Sequence, residues 1–112
     1  MKQDFYLQAA GLCSLLAHPE RLQILDELRR DEACVCHLQT VLGRPQAYVS
    51  QQLRVLREAG VVADRKDGLL VYYRLGDPQV VRLLEEVLGP AGEPTRSEDC
   101  PCPKCSLEVP RA

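Results

Sequence analysis

Six cysteines in a chain of 112 residues are its most chemically distinctive feature. Two lie in Cys34-Val35-Cys36, three in Cys100-Pro101-Cys102-Pro103-Lys104-Cys105, and Cys13 stands apart. The chain reads as cytoplasmic. No run approaches the roughly 20 apolar residues that crossing a bilayer takes. Asp4 and Gln8 fall where a signal peptide needs an unbroken apolar stretch. In a reducing compartment, clustered thiols are metal ligands or redox centres more often than disulfides. All-sulfur sites favour soft ions: arsenite, antimonite, cadmium, lead, zinc or copper(I), and not magnesium or calcium.

The spacing of the first pair sets a condition. On a regular helix, side chains at i and i+2 point about 200° apart and cannot share an ion. In an extended segment they face the same way. Cys34 and Cys36 therefore chelate together only where the pair precedes, or unwinds, the first turn of a helix. Two thiolates seldom hold a soft ion tightly, so a third donor is expected from elsewhere. His37 is adjacent but points away from at least one of the pair, and Cys13 reads as a small buried apolar residue. Cys100, Cys102 and Cys105 are the better donors. The step of twelve residues from Leu88 to Cys100 spans up to ~40 Å at roughly 3.3–3.6 Å per residue, enough to reach Cys34 and Cys36 of either subunit of a dimer. Pro101 and Pro103 keep the thiols extended and lower the entropy lost on binding. Alternatively CPCPKC binds an ion by itself.

The elements that must position these thiols follow from periodicity. Phe5, Ala9, Leu12, Cys13 and Leu16 recur at three and four and predict a helix over 4–17. Pro19 opens a second, to about Arg30, with Leu22, Leu25 and Leu28 inward. Residues 31–33 form a short connection. A third helix runs from Cys34 to Leu42 and stops at Gly43. A fourth follows Arg44-Pro45, with Val49, Leu53 and Leu56 on one face and Gly60 as its stop. Two helices joined by a tight turn make a helix-turn-helix. Strands at about 61–66 and 69–75 flank Asp67-Gly68, a strong hairpin signal. Asp77-Pro78 caps a last helix over 78–88. Its apolar residues cover more than one face, which predicts a symmetric dimer through the first and last helices, especially Val80, Val81, Leu84 and Val87. The expected fold is mainly α with a small β-hairpin wing, a homodimeric winged helix-turn-helix. Residues 1–88 form the DNA-binding and dimerisation domain, and 89–112 a flexible Cys-rich tail.

Charge is distributed to match. With hydrophobic residues at 46% and charged residues at 27%, the chain can bury a core. It carries 14 basic and 16 acidic groups, net −2. Residues 41–74 nevertheless hold six basic groups against three acidic ones, net +3, which leaves −5 for the remainder. A basic middle in an acidic chain suits a protein that meets a phosphate backbone with one face.

HPERLQILDEL, EACVCHL and YVSQQLRVLREAGVVADRKDGLLVYYRL resemble the ArsR/SmtB family of metal-sensing bacterial repressors, over residues 5–88. The combination of CVCxL with LxxLREAG and RKxGxxVYYRL is specific, and the CVC motif brings the chain closest to the arsenic-responsive branch. The resemblance implies a homodimer that binds operator DNA when metal-free and leaves it when a soft metal or metalloid binds. It also exposes two departures. Arsenic-sensing members carry a third Cys three positions after the second, where this chain has Gln39. Members that bind zinc on the last helix use His and carboxylates, and residues 76–90 contain no His.

The fourth helix is the one expected in the major groove. Its outward positions near the amino end are Gln46, Ala47, Tyr48, Ser50 and Gln51, and the resemblance maps the family's DNA-contacting stretch onto them. Gln pairs bidentately with adenine, Ser bonds base or phosphate, and Ala or Tyr touches a thymine methyl. Arg65 and Lys66 at the hairpin suit a phosphate or minor-groove contact. Arg44, Arg54 and Arg57 are phosphate clamps by position, although each arginine could equally pair with a nearby carboxylate.

The expected function is a repressor that a thiophilic ion releases from double-stranded DNA. The ligands are Cys34, Cys36 and a thiolate from Cys100, Cys102 or Cys105. Arsenite or antimonite is favoured; cadmium or lead comes next, then zinc. Two alternatives keep the fold: a thiol redox sensor, and a structural Cys₄ zinc clasp of Cys34, Cys36, Cys102 and Cys105. Neither a membrane nor a small organic substrate is expected as partner. An enzyme reading would rest on Cys102-Pro103-Lys104-Cys105, but a thioredoxin-type CxxC belongs at a strand-to-helix junction, not in a Pro-rich tail.

Overall fold

The computed structural model describes residues 2–94. The elements are α1 (Lys2–Leu16), α2 (Pro19–Arg30), β1 (Ala33–Cys34), α3 (Val35–Leu42), α4 (Gln46–Glu58), β2 (Val62–Asp67), β3 (Leu70–Leu75) and α5 (Pro78–Leu88). Five helices and a hairpin wing stand as the sequence predicts, and the arrangement is a winged helix-turn-helix. The cysteine motifs of residues 100–105 lie outside the described residues. Among the described residues, no helix is long and apolar enough to cross a membrane.

The core forms where the apolar faces of α2, α4 and α5 meet the sheet. Ile24, Leu25, Leu38, Val49, Leu53, Leu56 and Val80 are fully buried. Val49, Leu53 and Leu56 supply the inward face of α4, so its opposite face is free to meet a ligand. Polar ties fix the helices to each other. Arg21 donates to Gln52 Oε1 of α4 (2.8 Å) and to the Leu15 carbonyl of α1 (3.2 Å). Arg29, paired with Asp26, donates to the Gly89 carbonyl (2.6 Å) and so anchors the end of α5 on α2.

Four expectations need correction. First, the wing is a three-stranded antiparallel sheet in the order β1-β3-β2. The segment expected as a connection and helix start instead extends, and Ala33 and Cys34 pair with Tyr73 and Tyr72. A strand of two residues leaves no period to read. Second, the hairpin turn is Gly68-Leu69, one residue later than expected, because Asp67 pairs with Leu70. Gly68 takes φ 64 and, among the described residues, no non-glycine residue has positive φ, the pattern of a II′ turn with Gly first. Third, Val80 and Leu84 are buried within the chain. The exposed apolar residues of α5 are Val81, Leu83, Val87 and Leu88. Fourth, Cys13 is exposed, not buried. It lines an apolar groove of about 230 Å³ with Leu16, Ala17, Leu22, Leu83, Leu84 and Val87. That groove joins α1 to α5, the two helices expected to pair.

Candidate nucleic-acid interface and thiol site

The turn between α3 and α4 sets the presentation of α4. Gly43 ends α3 in the left-handed region (φ 65, ψ 34), and its N–H donates to the Gln39 carbonyl (2.8 Å). Pro45 precedes the first turn of α4. Gln46, Ala47 and Gln51 are exposed and Ser50 is half-buried. Tyr48 departs from the outward reading. It is half-buried against the core, and its ring lies 5.3 Å from the Arg44 guanidinium. The Glu20 carboxylate engages its hydroxyl and, with partial burial, raises its ionisation above the ordinary tyrosine range. Arg44 also pairs with Glu20. Glu20 thus ties the start of α4 to α2.

The basic residues divide into two groups. Arg57 pairs with Asp64 (3.3 Å). Arg65 donates to both Glu32 oxygens, from Nε at 2.9 Å and from Nη2. Its guanidinium lies 4.6 Å from the Tyr72 ring centroid. Hydrogen bonding by Glu32 holds its ionisation above the usual arginine value. Arg54, Lys66 and Arg74 are exposed, with no ion pair among the described residues. They need no internal bond broken to meet a phosphate. Chain order alone does not separate the two groups: Glu32 and Arg65 are distant in the chain and meet only across the sheet.

Cys34 meets the condition set by its spacing. It is extended (φ −85, ψ 166), caps α3, and accepts the His37 N–H on its sulfur. Cys36 is already inside the first turn. Both line a pocket of about 400 Å³ with Val35, Gln39, Gln46, Leu69, Leu70 and Val71. Three features therefore share one cavity: the thiols, the first residue of α4, and the turn of the wing. Gln39, at the position of the absent third cysteine, faces the same cavity. His37 is turned elsewhere. It is buried, with Nε2 3.0 Å from Glu27 Oε1. Among the described residues no three His, Cys, Asp or Glu side chains converge. The donor pair suits a soft ion in kind and is one short in number.

The comparisons agree with this geometry. The family model for bacterial regulatory proteins of the arsR family matches residues 18–64. The solution structure of the homodimeric winged helix-turn-helix DNA-binding domain of Mb0332 from Mycobacterium bovis, a possible ArsR-family regulator, superposes with a TM-score of 0.70. Identity is 34%, over 78% of this chain and 81% of that one. The chain belongs to the ArsR family of bacterial regulatory proteins. The NmtR transcriptional regulator of Mycobacterium tuberculosis is 41% identical over 81 residues, 72% of this chain and 68% of that protein. A transcriptional repressor SmtB homolog of Synechocystis is 41% identical over 87 residues, 78% of this chain and 66% of that protein. The match therefore spans about two thirds of this relative's length.

Proposed function

We propose that this ArsR-family protein is a homodimeric repressor of double-stranded operator DNA, released when a thiophilic ion occupies Cys34 and Cys36. Arsenite or antimonite is the favoured inducer, because a three-thiolate pocket needs no fourth ligand; cadmium, lead and zinc follow. The carrying observation is that Cys34, Cys36 and Gln46 line one cavity. Any change in the thiol pair is felt at the first residue of the reading helix. Gln46, Ala47, Ser50 and Gln51 read bases, and Arg54 and Lys66 position the backbone.

The third thiolate comes from Cys100, Cys102 or Cys105. The direction in which the chain leaves α5 supports this. Arg29 holds Gly89, and Arg30 reaches the Glu93 carbonyl (3.5 Å). The segment after α5 thus runs back along the end of α2, four residues before Cys34. The six-residue step from Pro94 to Cys100 covers up to ~20 Å. Cys100, Cys102 and Cys105 of either subunit are the donors to test. The tail 89–112 is accordingly a sensing appendage on the domain 1–88.

The test is fluorescence anisotropy with a duplex from upstream of the protein's own gene. Salt-dependent, sequence-preferring binding that weakens on adding arsenite supports the proposal. Equal affinity for unrelated duplexes, or no effect of any thiophilic ion, contradicts it. Deleting residues 97–112 separates the ligand models: a truncated protein that binds DNA and responds normally would exclude a tail ligand and leave Cys13 as the donor to test.

A further inference from the structure

The register of the sheet places three side chains in one row. Cys34 on β1 stands opposite Tyr72 on β3, and Tyr72 stands opposite Arg65 on β2. Residues directly opposite each other share a face of a sheet. On this face Tyr72 and Cys34 are buried together, both 3% exposed, with Cys36 and Leu70 beside them. The Arg65 guanidinium covers the outer side of the tyrosine at 4.6 Å. The neighbouring row, Ala33 with Tyr73, faces the main core. The thiol and the wing arginine are therefore joined through a single aromatic ring. Glu32, two residues before Cys34, is the carboxylate that holds Arg65.

We propose that the row Cys34–Tyr72–Arg65 couples the thiol pocket to the wing, and that Glu32 is the seat Arg65 occupies when the wing is off DNA. This rests on the proposed repressor function and adds a route distinct from the contact at Gln46. Arg65 cannot satisfy Glu32 and a DNA phosphate with the same fork of donors, so seat and phosphate compete. Cys34 sits at the junction of β1 and α3. A change in its bonding moves the ring that packs on it, and the ring is the platform on which the guanidinium rests. Tyr72 is a positioning residue: it touches the thiol on one side and the cation on the other, and need not touch DNA.

The experiment compares wild type with Glu32→Gln, Arg65→Gln, Tyr72→Phe and Tyr72→Leu by DNA anisotropy, with and without arsenite, over a salt series. Releasing Arg65 from its exposed ion pair makes Glu32→Gln bind arsenite-free DNA about 1.5- to 5-fold tighter per wing. Arg65→Gln lowers the log–log salt slope by about one unit per wing and shrinks the arsenite effect. Tyr72→Phe keeps the ring and the coupling; Tyr72→Leu, checked for folding by circular dichroism, loses coupling while still binding DNA. Unchanged affinity in Glu32→Gln, or a full arsenite effect in Arg65→Gln, overturns the inference while leaving the repressor reading intact. A readout without DNA separates the two further. The Arg65 Nε–H resonance shifts when arsenite is added to wild type and stays fixed in Cys34→Ser. A resonance that does not move in wild type overturns the row, whatever DNA binding shows. No DNA binding by wild type overturns the repressor reading and the seat together.

Discussion

Gly43→Ala places a measurable load on the turn that joins the thiol helix to the reading helix. Gly43 has φ 65 and ψ 34, and a Cβ built there meets nothing within 4 Å. The substitution thus costs no collision, only conformation. Holding an L-residue in the left-handed region costs roughly 1–2 kcal/mol. Replacing glycine also stiffens the unfolded chain, which offsets about 0.4–1 kcal/mol of that. The expected net loss is ~1 kcal/mol, or roughly 4–8 °C in Tm for a domain of this size. Gly43→Asn should lose less, because Asn tolerates the left-handed region. Urea and thermal denaturation at one fixed protomer concentration measure both, since a dimer's stability depends on concentration. An alanine variant as stable as wild type, or alanine and asparagine variants equally destabilised, would show that the left-handed conformation at Gly43 carries no such cost.

Other outcomes follow from the same geometry. Gln51→Ala or Ser50→Ala should reduce preference for operator over random duplex while general binding survives. Lys66→Ala or Arg54→Ala should weaken binding to all duplexes and flatten the salt slope by about one unit per lost phosphate contact; identical behaviour of the two sets in anisotropy contradicts the division. Leu83→Asp or Val87→Asp, which puts a charge on the exposed α1–α5 groove, should yield monomer by light scattering; persistence of a dimer moves the interface elsewhere. Gln39→Cys adds a third thiol to the pocket and should make arsenite binding, measured by mass spectrometry of the folded protein, independent of residues 97–112. Cadmium binding should weaken as pH falls, because a divalent cation binds thiolates and releases their protons, whereas arsenous acid, whose hydroxyls leave as water with the thiol protons, should bind with little pH dependence below the thiol pKa; pH-independent calorimetric affinity for cadmium contradicts thiolate ligation.

The long periodic elements were readable from sequence, and the short pairings were not. Val49, Leu53 and Leu56 at i, i+4 and i+7 sufficed to orient α4 and leave Gln46 and Gln51 outward. The condition on Cys34 and Cys36, derived from helix geometry alone, is met by Cys34, which is extended, and not by Cys36, which lies in the first turn of α3. The strand that fulfils it was missed, because Ala33-Cys34 is extended by pairing with Tyr72 and Tyr73 rather than by any local preference. The excess of apolar residues on α5 was legible, but not which of them the chain's own core takes. Val80 and Leu84 go inward through packing on other elements, a tertiary fact. Likewise Arg65 and Lys66 are neighbours of one charge, yet only Arg65 crosses to Glu32. Nothing in their order distinguishes them.

The most direct measurement is the dissociation constant of the DNA complex with and without arsenite, for wild type, Cys34→Ser and Cys36→Ser. The prediction is that all three bind arsenite-free operator with similar affinity, and that arsenite weakens only wild type, by at least tenfold, a coupling of about 1.4 kcal/mol. Equal weakening of the serine variants by arsenite would contradict it and move the sensor to other thiols.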